Sequence, residues 1–329
     1  MNLRSLLAVT ILSGALALPS SVASQEPARQ PATSQTAPRE PAHPIEKQLG
    51  PADIIMPHIT DSKTIEYPCY HGLGEWACEY TFPTWNVTIG GHTFDMGLTK
   101  HIFFMLLAGF IVALVLILTA RSHVRHSKQA GRPKGFAAGL EAVVLYLRDE
   151  IYRPVLGPHG GERYVPFVLT LFFFILFCNL FGLIPYGSTP TGNVTVTATL
   201  AIVTFIVVEL AGIRAQGLNY LGTIFYWNKD LPIAIRIPMF IIMTPIEIVG
   251  KITKPIALTI RLFANMIAGH VIILALIGLI FMFGLKIAIA PLAMALFIMF
   301  LEILVAFIQA FIFSLLAAVF IGQIRMAHH

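Results

Sequence analysis

Charge is scarce in this sequence: Asp, Glu, Lys and Arg make up 12% of its 329 residues, while 56% are hydrophobic. A water-soluble fold of that composition could not hide its apolar side chains, so a soluble enzyme or binding domain is excluded. The mean hydropathy of +0.76 points to a chain that crosses a membrane several times. There is no HExxH, no Gly-rich phosphate loop and no Ser/His/Asp spacing to support nucleophilic or metal catalysis. No cofactor or metal is expected. The net charge of +5 does not imply nucleic acid, because the cations gather beside apolar runs rather than on an aromatic-interleaved face.

Cysteine is nearly absent, at three residues. Cys69 and Cys78 bracket "CYHGLGEWAC" in a segment expected to be exported. An oxidising compartment would let them close a disulfide; two reduced thiols, or less readily a zinc pair, are the alternatives. Cys178 lies in an apolar run and reads as a small buried side chain.

Residues 1–23 combine one Arg, a short apolar core and small residues near Ala23, the pattern of a cleaved secretory signal too short to span ~30 Å of hydrocarbon. Residues 24–51, rich in Pro, Ala, Ser, Thr and Gln, read as a disordered tether. Residues 52–100 contain alternating stretches such as "EYTFPTWNVTIG" and the Gly90-Gly91 turn, which suggest a small, partly β element outside the membrane.

Residues 101–329 form the membrane domain. A first span, His101 to Ala120, meets the basic run "RSHVRHSKQAGRPKG", which the positive-inside rule assigns to the cytoplasm. The amino terminus is then periplasmic and the carboxyl terminus cytoplasmic. "GFAAGLEAVVLYLRDEIYRPVLG" reads as an amphipathic helix on the membrane surface. Spans follow at Tyr164 to Ile184 and Val194 to Ile213, with Glu209 expected to face protein or the interface rather than lipid. Residues 232–325 hold two overlong apolar segments, each longer than a perpendicular span needs, so the first must be broken, steeply tilted or both. The fold class is therefore all-α and polytopic, with about five embedded helices and a long tilted hairpin. No internal repeat supports an inverted-repeat transporter.

The chemistry lies in the polar residues of that hairpin: Arg261, Asn265, His270, Glu302 and Gln309. Each is costly in a span unless it faces a cavity or a partner. Singly, each has a structural reading: a snorkelling arginine, an amide gluing helices, a buried His–Glu bridge. Arg261 and Asn265 share a helix face with the small residues Ala264 and Ala268, which a partner helix could approach closely. Arginine keeps its proton even when desolvated, so Arg261 can be a fixed charge and not a relay; His270 and Glu302 can pass protons.

At these residues the chain resembles subunit a of the bacterial F-type ATP synthase. "KPIALTIRLFANMIAGH" and "EILVAFIQAFIFSLLAAVF" carry the resemblance, with "NLFGLIP" and "NVTVTATLAI" extending it toward the first span. The resemblance implies a stator subunit of the bacterial inner membrane that works against a rotating c-ring beside b-type peripheral-stalk subunits, and that does no nucleotide chemistry itself. By position, Arg261 resembles the arginine facing the c-ring carboxylate. Asn265, His270, Glu302 and Gln309 resemble the periplasmic half-channel, Glu247 an acid of the cytoplasmic half-channel, and Lys254 the lysine preceding the arginine. In some members the acid and the histidine stand at exchanged positions relative to His270 and Glu302. Two rivals are kept: a stand-alone proton-coupled anion carrier using Arg261 to bind substrate, and a structural scaffold in which the polar residues only hold helices together.

Overall fold

The computed structural model describes residues 60–71, 75–84, 86–89, 92–95, 97–128, 135–157, 160–184, 187–217, 220, 222, 225, 232–284 and 288–326. The expected signal segment and tether, and the Gly90-Gly91 turn, lie outside these residues. The chain is an all-α polytopic membrane protein, and among the described residues five helices are long and apolar enough to cross a bilayer.

Two short hairpins precede the helices. Strands β1 (Thr64–His71) and β2 (Glu75–Thr81) pair antiparallel, as do β3 (Asn86–Ile89) and β4 (His92–Asp95). Cys78 on β2 is disulfide-bonded, and Cys178 is free and buried.

Helix α1 spans Lys100–Lys128, and its apolar part ends where the basic run begins. The amphipathic segment is less regular than its apolar spacing suggests. Helix α2 (Phe136–Tyr146) passes through a π-helical turn, Leu147–Tyr152, into the single turn α3 (Arg153–Leu156). Its first half leaves Val143 and Tyr146 exposed, whereas Leu147, Tyr152 and Leu156 are buried in the protein core. The Tyr152 hydroxyl shares a 2.7 Å hydrogen bond with Ser314, and burial pushes its pKa up to about 12 despite that bond.

Helix α4 (Val165–Phe181) places Pro166 in its first turn, where the missing N–H costs nothing. Helix α5 (Val194–Gln216) is capped by Asn193, whose side chain accepts from the Thr195 amide at 2.8 Å. Helix α6 (Ile233–Phe283) is unbroken over 51 residues although Pro238, Pro245 and Pro255 lie inside it. At 1.5 Å per residue it is about 76 Å long, so it must run obliquely to cross ~30 Å of hydrocarbon. It ends at Gly284, whose φ of 76° suits a residue without Cβ. Helix α7 (Ile289–Met326) returns antiparallel to it.

α7 is the hub, packed on α4, α5 and α6; α5 also packs on α6, and α1 on α4. Its core face carries Ala306, Ala310, Ala317 and Ala318, all fully buried. These small residues let neighbouring backbones approach, the usual basis of helix packing where lipid supplies no hydrophobic drive. α4 is the most enclosed of the five spanning helices and α6 the least.

Candidate functional site

Buried Leu258, Leu262 and Met266 recur at helical spacing and turn one face of α6 to the core. The flanking face presents Arg261, Ala264, Asn265 and Ala268, all exposed. Arg261 makes no hydrogen bond or ion pair with the described residues, and Ala264 and Ala268 beside it are uncovered by them.

On α7, Glu302, Ala306, Gln309 and Phe313 form a buried stripe. The antiparallel register sets this stripe against α6, so that His270 meets Glu302 and Asn265 meets Gln309. His270 Nδ1 lies 3.6 Å from Glu302 Oε1, and Asn265 Nδ2 donates to Gln309 Oε1 at 2.8 Å. The Glu302 carboxylate packs directly on Gly269. Its side chain is only 3% exposed, and neither oxygen has a hydrogen-bond partner among the described residues.

Behind this stripe lies a second buried polar contact. The Asn179 side chain accepts from the Thr191 hydroxyl at 2.6 Å and donates to the Ala306 carbonyl at 3.3 Å, tying α4 and the turn before α5 to α7. Asn179 falls within "NLFGLIP", and nothing in its sequence context separates it from any other amide in an apolar run.

Two clefts reach the hairpin from different directions. One, of about 650 Å³, has His270, Ile273, Glu302 and Met299 at its inner end and reaches Lys100 and the β1–β2 hairpin at its outer end. The other, about 60 Å³, lies among α5, α6 and α7 beside Glu209, Glu247, Lys251 and Lys254. They share no lining residue. Along α6 Arg261 falls between them, about 13 Å short of His270 and about 10 Å beyond Lys254.

Glu247 and Lys254 are exposed, and the Lys254 ammonium sits 4.9 Å from the Phe320 ring centroid. Beside them is a cluster that sequence spacing does not assemble. Lys251 Nζ is 3.1 Å from Glu209 Oε1, and Tyr220 donates to Glu209 while accepting from Lys251. Burial, the hydrogen bond to Glu209 and the charges of Glu209 and Glu247 push the Tyr220 hydroxyl above its ordinary pKa, so it remains a neutral donor. Glu209 thus faces protein and not lipid. The only sign in the sequence was an acid late in one span and a lysine in another, whose pairing needs the helix crossing.

The chain matches the family described as ATP synthase A chain over residues 102–322. It is 47% identical over 244 residues to the ATP synthase subunit a of Chloroherpeton thalassium, covering 74% of this chain and 70% of the relative. It is 40% identical over 280 residues to the ATP synthase subunit a of Anaeromyxobacter dehalogenans strain 2CP-C, covering 84% and 71%. With the ATP synthase subunit a 2 of Chlorobaculum tepidum the identity is 41% over 275 residues, covering 83% and 72%.

Proposed function

The chain belongs to the ATP synthase A chain family, and from that premise we propose that it is the proton-translocating stator subunit of an F-type ATP synthase, carrying two offset half-channels separated by Arg261. The observation that carries the reading is the pair of clefts that share no lining residue and lie on opposite sides of Arg261 along one helix.

In this mechanism a proton enters by the larger cleft and reaches Glu302 and His270, with Gln309 and Asn265 continuing the polar line toward Arg261. It neutralises a carboxylate of a c-ring that runs along the exposed face of Arg261, Ala264 and Ala268. Neutralised, that carboxylate can turn through lipid, which its charged form could not enter cheaply. After nearly a full rotation it meets the smaller cleft near Glu247 and Lys254 and releases its proton to the cytoplasm. Arg261 favours the deprotonated form of each arriving carboxylate and repels a proton moving directly between the clefts. Its lack of a partner within the described residues suits this duty, because a permanent internal ion pair would compete with the rotor. Each charge moved across 100 mV supplies about 2.3 kcal/mol.

The orientation follows the basic run after α1: the β hairpins periplasmic, the carboxyl terminus cytoplasmic, in a bacterial inner membrane. The remaining partners are b-type peripheral-stalk subunits and lipid. Cys78 takes Cys69 as its disulfide partner, the other cysteine of the exported segment. A stand-alone proton-coupled anion carrier is not favoured, since the relatives are named as ATP synthase subunits.

The test is ATP-driven proton pumping in inverted vesicles, comparing wild type with Arg261→Ala in complexes of verified subunit content. Loss of coupled pumping with assembly intact, and a raised passive proton leak, is expected. Unchanged pumping would return Arg261 to a structural role.

A further inference from the structure

The β1–β2 hairpin is fixed to the membrane domain rather than lying loosely beside it. The Ser62 carbonyl accepts from the Lys100 amide at 2.9 Å, and Asp61 Oδ1 lies 2.6 Å from His101 Nδ1 at the start of α1. A run of ring contacts continues the attachment inward: Tyr80 to Phe82, Phe82 to Phe103, Phe103 to Phe104, and Phe104 to Phe181 on α4, with centroids 5.5 to 5.9 Å apart.

That placement brings Thr60, Ser62, Thr64, Ile65 and Glu79 into the wall of the larger cleft, whose inner end is His270 and Glu302. The opposite wall is the turn between α4 and α5, at Gly182 to Ile184 and Gly187. The outer part is thus richer in groups that hold water (three hydroxyls, Glu79 and Lys100, with Ile65), while Ile273, Leu274 and Ile277 make the α6 side beside His270 apolar.

We propose that the β1–β2 hairpin is the outer wall of the periplasmic half-channel, so that protons reach Glu302 and His270 by passing between this hairpin and the α4–α5 turn. The proposal rests on the half-channel reading above and assigns the amino-terminal element a part in proton supply. The hairpin narrows and hydrates the approach, with the charged Glu79 and Lys100 at its outer end.

The test uses the assembled complex in vesicles with the β hairpins facing the added reagent. A bulky, membrane-impermeant maleimide is attached at Ile65→Cys, which lines the cleft, and at Thr81→Cys, which is exposed on the same hairpin and does not line it. Fully buried Cys178 does not compete for the reagent. Thr60→Cys replaces Ile65→Cys if the latter fails to assemble. Labelling the cleft cysteine is expected to lower proton conductance several-fold relative to the same unlabelled variant, with no change at Thr81→Cys. Equal conductance before and after complete labelling at the cleft position overturns the proposal. Glu302→Gln, measured alongside, separates the two readings. If it abolishes conductance while labelling does nothing, only the hairpin's role is lost; if it conducts normally, the half-channel reading falls and the proposal with it.

Discussion

Replacing Gly269 by alanine tests whether the seam between α6 and α7 is tuned for proton transfer or merely packed. A Cβ at this position would sit 2.8 Å from Glu302 Oε1 and 2.9 Å from Glu302 Cδ. To recover ordinary contact at 3.4 Å the carboxylate must retreat by about 0.6 Å. The clashing atoms are the far end of a flexible side chain, so the helices need not separate. Taken along the line to His270, now 3.6 Å away, that retreat removes about 0.7 kcal/mol of attraction between the carboxylate and an imidazolium at an effective dielectric of about 20. This corresponds to roughly a threefold weakening of the contact. Gly278→Ala is the matched comparison: the same helix, with nothing within 4 Å of an added Cβ, and a gain of about 0.5–1 kcal/mol in helix preference. The assay is the initial rate of ATP-driven proton pumping per assembled complex, across a pH series. Both variants should assemble, and only Gly269→Ala should slow pumping, by roughly threefold. Indistinguishable behaviour of the two variants would refute the reasoning.

Neutralising either half of the Glu209–Lys251 pair, as Glu209→Gln or Lys251→Met, should lower thermal stability of the solubilised subunit by about 1–3 kcal/mol. The double variant should lose less than the two singles combined, which a double-mutant cycle measures directly. The attachment of the β1–β2 hairpin should weaken in acid. Burial alone would raise the Asp61 carboxyl, but the hydrogen bond and charge of His101, with the Thr99 hydroxyl and the His101 amide, hold it below its ordinary 3.8. A carboxylate with a lowered folded-state value contributes stability that is fully present above 3.8 and is lost as pH falls through the folded value. Protease sensitivity of the hairpin should therefore rise over that acid range in wild type, and Asp61→Asn should remove the pH dependence.

Much of this organisation was legible because membrane segments announce themselves. The runs at Tyr164 to Ile184 and Val194 to Ile213 became α4 and α5 with only small changes at their ends, since twenty apolar residues have few alternatives in a bilayer. Arg261 and Asn265 were read as sharing a face with Ala264 and Ala268, and helical spacing alone requires it. A His270–Glu302 contact was among the readings of the polar residues, whereas the pairing of Asn265 with Gln309 needed the register of two antiparallel helices, which spacing within one helix does not supply. Lys251 was less visible still, because its partners Glu209 and Tyr220 come from other segments. The π-helical turn at Leu147–Tyr152 has no signature in an apolar pattern; it rotates Tyr152 toward Ser314 and buries a face that the charge pattern placed at the membrane surface.

The unbroken length of α6 ties these observations to a single constraint. A half-channel must be wet enough to carry protons yet must stop before it meets its counterpart, or the membrane would leak. If the two clefts serve opposite sides of the membrane, as proposed, they cannot lie one above the other without leaving only a thin barrier, so they must be displaced sideways. One continuous helix of 51 residues, too long to stand upright, provides that displacement. Its residues near Glu247 and Lys254 border one cleft and its residues near His270 border the other, with Arg261 and the buried Leu262 and Met266 between them. Two upright helices could carry the same side chains, but their polar groups would fall along one axis. The tilt therefore belongs to the separation of the two paths as much as to the fit of the chain in the bilayer.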